Sequence, residues 1–228
     1  MIQEPSKRKS YTYLPTITGL FTATLLISNV LNSKVLRVGP VPMTGGLIIF
    51  PLAYLFSDVL TEVYGYSEAR RVIWTGFASL ILFVVMIEIC GALPADPSWP
   101  HQEAYEVILG RVPRIVTASM LAYFFGEFSN SYVLAKFKVR TQGRHMSLRF
   151  VLSTLVGEGI DTVVFVLVAF TGVISVKIML SVAFSGWVLK VLWEMIALPL
   201  TLPVVNALKR REQVDYFDTN TDFNPLRF

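Results

Sequence analysis

Apolar residues in this chain gather into six long runs separated by short polar links. The runs are approximately Leu14 to Leu31, Gly46 to Tyr64, Val72 to Leu93, Arg114 to Leu134, Phe150 to Thr171 and Lys177 to Ala207. A bilayer core about 30 Å thick requires roughly 20 mostly apolar residues per helix, so each run predicts a membrane-spanning helix. The last is long enough to tilt, or to break at Pro199 and Pro203. The longest link, Pro94 to Pro113, carries proline, tryptophan and acidic residues and reads as an extramembrane cap. The expected fold class is therefore an all-α integral membrane bundle of six helices. Residues 1–13 form an N-terminal tail, 14–208 the transmembrane domain and 209–228 a C-terminal tail. A cleavable signal peptide is the competing reading of the first run, which follows Lys7, Arg8 and Lys9. It is disfavoured because that run ends in Ser28, Asn29, Asn32 and Ser33 instead of a short small-residue cleavage site.

Composition narrows the class. The 228 residues are 54% hydrophobic and only 16% charged, with a mean hydropathy of +0.57, which excludes an ordinary soluble domain. The single cysteine, Cys90, cannot form an internal disulfide. No Cys/His cluster suits zinc, so neither a metal nor another cofactor is expected. A pI near 9.2 would suit nucleic acid if the cations shared one solvated face. They are instead dispersed between apolar runs, and no nucleic-acid partner is expected. In a six-span arrangement 14 of the 20 lysines and arginines fall on one side: Lys7 to Lys9, Arg70 and Arg71, five between Lys136 and Arg149, Lys209 to Arg211, and Arg227. The positive-inside rule then places both termini in the cytoplasm, and the localisation expected is a multi-pass protein of the bacterial inner membrane.

The informative residues are the charges within the runs. Seven of the 16 acids fall there: Asp58, Glu62, Glu88, Glu127, Glu158, Asp161 and Glu194. Each costs on the order of 2.5–3.5 kcal/mol at a helix centre, so such groups normally face the bundle interior and mark a site or pathway. Asp58 with Glu62, Glu127 with Asn130, Glu158 with Asp161, and Lys190 with Glu194 each share a helical face by their i,i+3 or i,i+4 spacing. The first run adds Asn29 and Asn32. Such groups can simply hydrogen-bond one another and hold helices together. For Lys190 and Glu194, neutralisation one turn apart is an equally good account. Two neighbouring carboxylates in low dielectric instead repel, so one is protonated or a cationic or donor-rich ligand lies between them. Glu88, near the outer end of its run, is most simply an interfacial residue.

Aromatic residues frame these positions. Tyr64 and Trp74 at span ends fit the interfacial belt, whereas Trp187, one turn before Lys190, is placed to stack on a planar ligand. An internal echo at offsets of 98 to 100 residues relates Asn29 and Asn32 to Glu127 and Asn130, and Asp58 and Glu62 to Glu158 and Asp161. That is the pattern of an inverted repeat with a midplane site. Both histidines, His101 and His145, lie in links, which leaves no intramembrane base or ligand for a protease. No nucleotide-binding glycine motif is present. Transport or binding remains.

The strings FPLAYLFSDVLTEVYGYSEARRVIWTGF (Phe50 to Phe77), GEFSNSYVLAKFK (Gly126 to Lys138) and STLVGEGIDTVVF (Ser153 to Phe165) resemble the queuosine precursor transporter family of bacterial inner membranes. The resemblance runs from about Thr16 to Lys209. It implies a six-helix protein related to the substrate-binding components of energy-coupling-factor vitamin transporters, working without an ATPase partner. The implied substrates are 7-cyano-7-deazaguanine and 7-aminomethyl-7-deazaguanine, with queuine an option for some relatives.

The residues suit such a substrate. A guanine-type edge presents an N–H beside an amino group, which a carboxylate accepts in bidentate fashion. Its carbonyl accepts from asparagine or lysine, and its face stacks on aromatics. Asp58, Glu62, Glu158 and Asp161 are the candidate carboxylates, Glu127 and Asn130 a wall, and Trp187 with Lys190 the closure. Asn29, Asn32 and Glu194 complete the candidate set. A buried acid can also relay protons, so proton coupling and facilitated diffusion are both open. Two other readings are a passive binding subunit of a multi-component transporter and a lipid-modifying enzyme with a divalent cation. Gly157 and Gly159 suit close packing within one bundle or between copies in a homo-oligomer.

Overall fold

The computed structural model describes residues 11–31, 34–38, 41–109, 113–173 and 175–227. Six long helices carry the chain: α1 (Leu14–Leu31), α2 (Gly46–Tyr64), α3 (Tyr66–Ala92), α5 (Pro113–Arg140), α6 (Met146–Phe170) and α7 (Val176–Glu212). Four of them, α1, α3, α6 and α7, are both long and apolar enough to cross a membrane. The other two, α2 and α5, have 19 and 28 residues, or roughly 28 and 42 Å of helix, and hold the densest polar faces.

Boundaries match the apolar runs for α1 and α2, and overrun them elsewhere, because helical hydrogen bonding continues where apolar composition stops. Thus α3 begins at Tyr66, and α7 continues unbroken through Pro199 and Pro203 to Glu212. Two short elements were not expected from hydropathy. A hairpin, β1 (Val35–Val38) and β2 (Val41–Thr44), pairs antiparallel in the register Val35 with Thr44, and helix α4 (Gln102–Leu109) lies within the long link. Asn32 lies outside the described residues.

The core sits among α1, α2, α3 and α5, where Phe21, Leu25, Leu60, Val63, Ile73 and Tyr123 are buried. Outward faces expose large apolar side chains such as Leu82, Leu167, Phe184, Ile196 and Leu200, as helices solvated by lipid do. Helices α5 and α6 cross closely because glycines meet there. A Cβ on Gly157 would lie 2.6 Å from Cβ of Asn130, and one on Gly126 would lie 2.7 Å from Cβ of Asp161. Small residues let backbones approach and bring the polar faces of both helices together.

The N-terminus of α1, the α2–α3 junction, the α5–α6 link and the C-terminal segment converge at one end, which is rich in cations. There Glu62, fully buried, accepts from Arg149 at 2.7 Å and Lys209 at 2.6 Å, with Lys138 at 3.7 Å. Asp215 joins Lys138 at 2.5 Å and Lys209 at 2.8 Å. Residues following α7 form a strap across this end. Asp218 accepts from the first backbone N–H of α3 at Tyr66, which suits the positive end of a helix dipole. The strap continues with Phe223 packed on Tyr66 and Tyr132, and with the Trp74 indole donating to Pro225 O at 2.8 Å. Glu212 accepts from the Thr12 and Tyr13 amides and from Tyr64 Oη, tying α7 to α1 and α2. Tyr64 and Trp74 are therefore tertiary contacts of this end. They do not form an outward-facing belt, because their polar atoms find protein partners.

Gly157→Ala should lower the thermal midpoint in detergent by several degrees, since α5 and α6 must separate. Gly19→Ala should leave it unchanged or slightly raised, because nothing lies within 4 Å of the added methyl and alanine favours a helix by about 1 kcal/mol. Equal effects would discount the crossing as a close-packed point.

The strap gives a pH expectation. Although burial alone would raise the Asp215 carboxyl, hydrogen bonds from Lys138 and Lys209 hold it below its ordinary value of 3.8. Its stabilising contribution is therefore complete at neutral pH and is lost only as pH falls through that depressed value. The wild-type strap should resist limited proteolysis down to about pH 5, whereas Asp215→Asn should be cut faster within 213–227 at neutral pH. Identical cleavage rates at neutral pH would contradict this role.

Candidate functional site

Helices α2, α5, α6 and α7 direct their polar faces to one interior volume. On α6, Glu158 and Asp161 both pair with Lys190 of α7, Glu158 at 2.8 Å. On α2, Asp58 accepts from the Asn130 amide of α5 at 2.7 Å. Glu194 of α7 lies beside Asp58 and accepts from Thr154 of α6. Glu127 on α5 is fully buried near Ser57, and neither of its carboxyl oxygens has a hydrogen-bond partner or a paired cation among the described residues. Tyr54 completes the wall. Its hydroxyl lies 2.6 Å from the position a Cβ on Gly126 would occupy, beside Glu127, Glu158 and Asp161.

The candidate residues thus divide. Asp58, Glu127, Asn130, Glu158, Asp161, Lys190 and Glu194 come together. Glu62 lies one turn from Asp58 yet faces the cation cluster at the basic end. Lys190 and Glu194 do not neutralise each other: the lysine reaches across to α6, and the acid turns to Thr154 and Asp58. Asn29 donates to Leu25 O within its own helix. Trp187 donates its indole N–H to Leu155 O at 3.0 Å, with the ring over Gly159. It faces an apolar groove of about 600 Å³ between α6 and α7, lined also by Val156, Ile160, Leu180 and Phe184.

Several contributors escaped the sequence reading. Tyr54, four residues before Asp58, shares its helical face, and so do Ser131 and Lys138 with Glu127. The signal was helical spacing, masked in Tyr54 by its aromatic character and in Lys138 by its place among cations that set topology. Thr154 and Arg149 carry no such signal, since their relevance lies in partners on other helices.

Chemically, among the described residues five buried carboxyls face one ammonium, that of Lys190. Full ionisation there carries a desolvation cost that a single lysine does not offset. The arrangement can bind a cationic or donor-rich ligand, and it can hold and release protons.

Comparison with known proteins agrees on one family. Residues 44–204 match the family described as "Putative vitamin uptake transporter". The chain is 31% identical over 159 residues to a protein of Bacillus subtilis (strain 168) named "Probable queuosine precursor transporter", covering 68% of this chain and 69% of that one. It is 32% identical over 127 residues to the "Queuosine precursor transporter" of Escherichia coli (strain K12), covering 56% and 55%. No solved structure matches significantly. The family match takes in α2, α3, α5, α6 and nearly all of α7, the helices that build the acidic interior and its closure. With that coverage, this membrane protein belongs to the vitamin uptake transporter family that includes the queuosine precursor transporters.

Proposed function

We propose that the protein takes up queuosine precursors across the bacterial inner membrane, driven by protons and without an ATPase, through six spans with both termini cytoplasmic. The observation that carries this reading is the meeting of five buried carboxyls from α2, α5, α6 and α7 around a single lysine. Planar deazaguanines match it. Their ring N–H and amino group lie side by side and bind a carboxylate in bidentate fashion, while the ring carbonyl accepts from Lys190 or Asn130. Glu158 or Asp161 takes the donor edge as Lys190 turns to the carbonyl, which replaces one ion pair with charge-assisted hydrogen bonds. The neighbouring carboxyls of Asp58 and Glu194 are suited to take up and release a proton with the ligand. Glu62 belongs to the frame instead, because cations from three helices gather on its Oε1.

Affinity for 7-aminomethyl-7-deazaguanine and 7-cyano-7-deazaguanine, measured on purified protein, should fall about 10- to 100-fold or more in Asp58→Asn, Glu158→Gln or Asp161→Asn, as expected for losing a buried charged hydrogen bond. Glu62→Gln should mainly lower the thermal midpoint, by leaving Arg149 without its anion and Lys138 and Lys209 with Asp215 alone. Unchanged affinity in all three site variants would overturn the site.

In liposomes containing this protein alone, an inwardly directed proton gradient should drive accumulation, and an uncoupler should abolish it. Uptake indifferent to both would indicate facilitated diffusion. Absence of any uptake would assign the chain a binding-subunit role.

A further inference from the structure

A buried polar group without a partner calls for an explanation, because nothing offsets its loss of water. Among the interior acids, Asp58 accepts from Asn130, Glu158 and Asp161 pair with Lys190, and Glu194 accepts from Thr154. Glu127 differs from all four. It is 0% exposed, and neither Oε1 nor Oε2 has a partner among the described residues. The carboxyls that surround it, Glu158, Asp161 and Glu194, add negative charge and no donor. Ionised, Glu127 is an uncompensated charge; protonated, it is still a buried polar group whose two oxygens are unmatched.

A third acceptor lies on the same face of α5. Asn130, three residues on, gives its side-chain amide N–H to Asp58 Oδ1 at 2.7 Å, and its own Oδ1, also fully buried, has no partner among the described residues. One helical face thus offers two carboxylate oxygens and one amide oxygen. A primary ammonium, with three N–H donors and one positive charge, matches that set in both number and sign. A neutral donor edge fills two of the positions and leaves the charge standing. The level of Glu127 suits one end of a larger ligand. A Cβ on the adjacent Gly126 would lie 2.7 Å from Cβ of Asp161, so Glu127 stands beside the Lys190 ion pairs. The side chains of Lys190 and Asp161 keep 15% and 7% exposure. A ligand admitted there meets the ion pairs first and Glu127 at its far end.

We infer that Glu127, with Asn130 Oδ1, receives a primary ammonium of the ligand and makes the site select 7-aminomethyl-7-deazaguanine over 7-cyano-7-deazaguanine, an inference that rests on the deazaguanine reading above. Both bases carry the ring N–H, amino group and carbonyl that Glu158 or Asp161 and Lys190 recognise. They differ only in the 7-substituent, which is a cationic aminomethyl group in one and a nitrile without donors in the other. The ammonium pairs with Glu127 where water is excluded and charge pairing is strong. The nitrile nitrogen, itself an acceptor, meets three acceptors and is disfavoured. A Glu127 that only packed α5 against its neighbours, or that held a trapped water, would not distinguish the two bases.

The test compares the two ligands on the full-length purified protein near neutral pH, where an alkyl amine is cationic. The wild type should bind the aminomethyl form about tenfold or more tightly than the cyano form. Glu127→Gln should lose about 10- to 100-fold more affinity for the aminomethyl form than for the cyano form. Glu158→Gln and Asp161→Asn, which alter the edge that both bases share, should weaken the two alike. Glu127→Asp keeps the charge at a shorter reach and should narrow the preference without abolishing it, which carries the test if Glu127→Gln fails to fold. A preference that is the same in the wild type and the Glu127 variants, or that collapses equally in Glu158→Gln, would overturn the assignment of the ammonium to Glu127 and leave the deazaguanine site standing. A wild type that binds neither base would overturn both.

Discussion

An ionised group inside a bilayer must be paired, hydrogen-bonded or protonated, and the arrangement of this bundle follows from that requirement. Five carboxyls converge where one lysine is available. Lys190 neutralises part of the charge, Asn130 donates to Asp58 and Thr154 to Glu194, and Glu127 has no donor among the described residues. Asp58 and Glu194 lie side by side. Such a site is costly when empty, because burial penalises charge without supplying full compensation. A ligand rich in donors relieves that cost, so binding energy and the strain of the empty site are two sides of one balance.

The same requirement explains why the polar helices sit so close. Gly126 and Gly157 allow α5 and α6 to touch, which seats Asn130 against α6 while its amide reaches Asp58 on α2. Bulkier residues would separate those faces and leave the acids without donors. At the basic end the imbalance reverses, with Arg149, Lys138 and Lys209 gathered around Glu62 and Asp215. That cluster links α2, α5, α6, α7 and the strap. It provides a rigid base beneath the acidic interior, with Glu62 as its anion.

Much of this was legible in the residues. Apolar runs marked the helices to within a few positions for α1 and α2, because desolvation of side chains is a local property summed along the chain. The acids stood out for the same reason, since each is costly wherever its helix ends up. Spacing correctly placed Glu158 beside Asp161, and it grouped Glu127 with Asn130. It failed for Lys190 and Glu194, whose closer partners lie on another helix, and for Tyr64 and Trp74, whose polar atoms are satisfied by segments more than a hundred residues away. Trp187 was read from its spacing to Lys190, yet Gly159 provides the surface on which its ring rests.

Which segments leave water, and which residues are costly there, follow from the transfer of individual side chains and are therefore set by the order of residues alone. The tertiary structure decided which acid meets which partner. Asp58 and Glu62 show the difference most clearly. They are one turn apart on the same face of the same helix, yet one meets the Asn130 amide beside other acids and the other is held by three cations. Periodicity fixes the face on which a side chain lies. Depth and the identity of the neighbouring helix come only from packing, and electrostatic energy in a dry interior changes steeply over the few ångströms that packing sets.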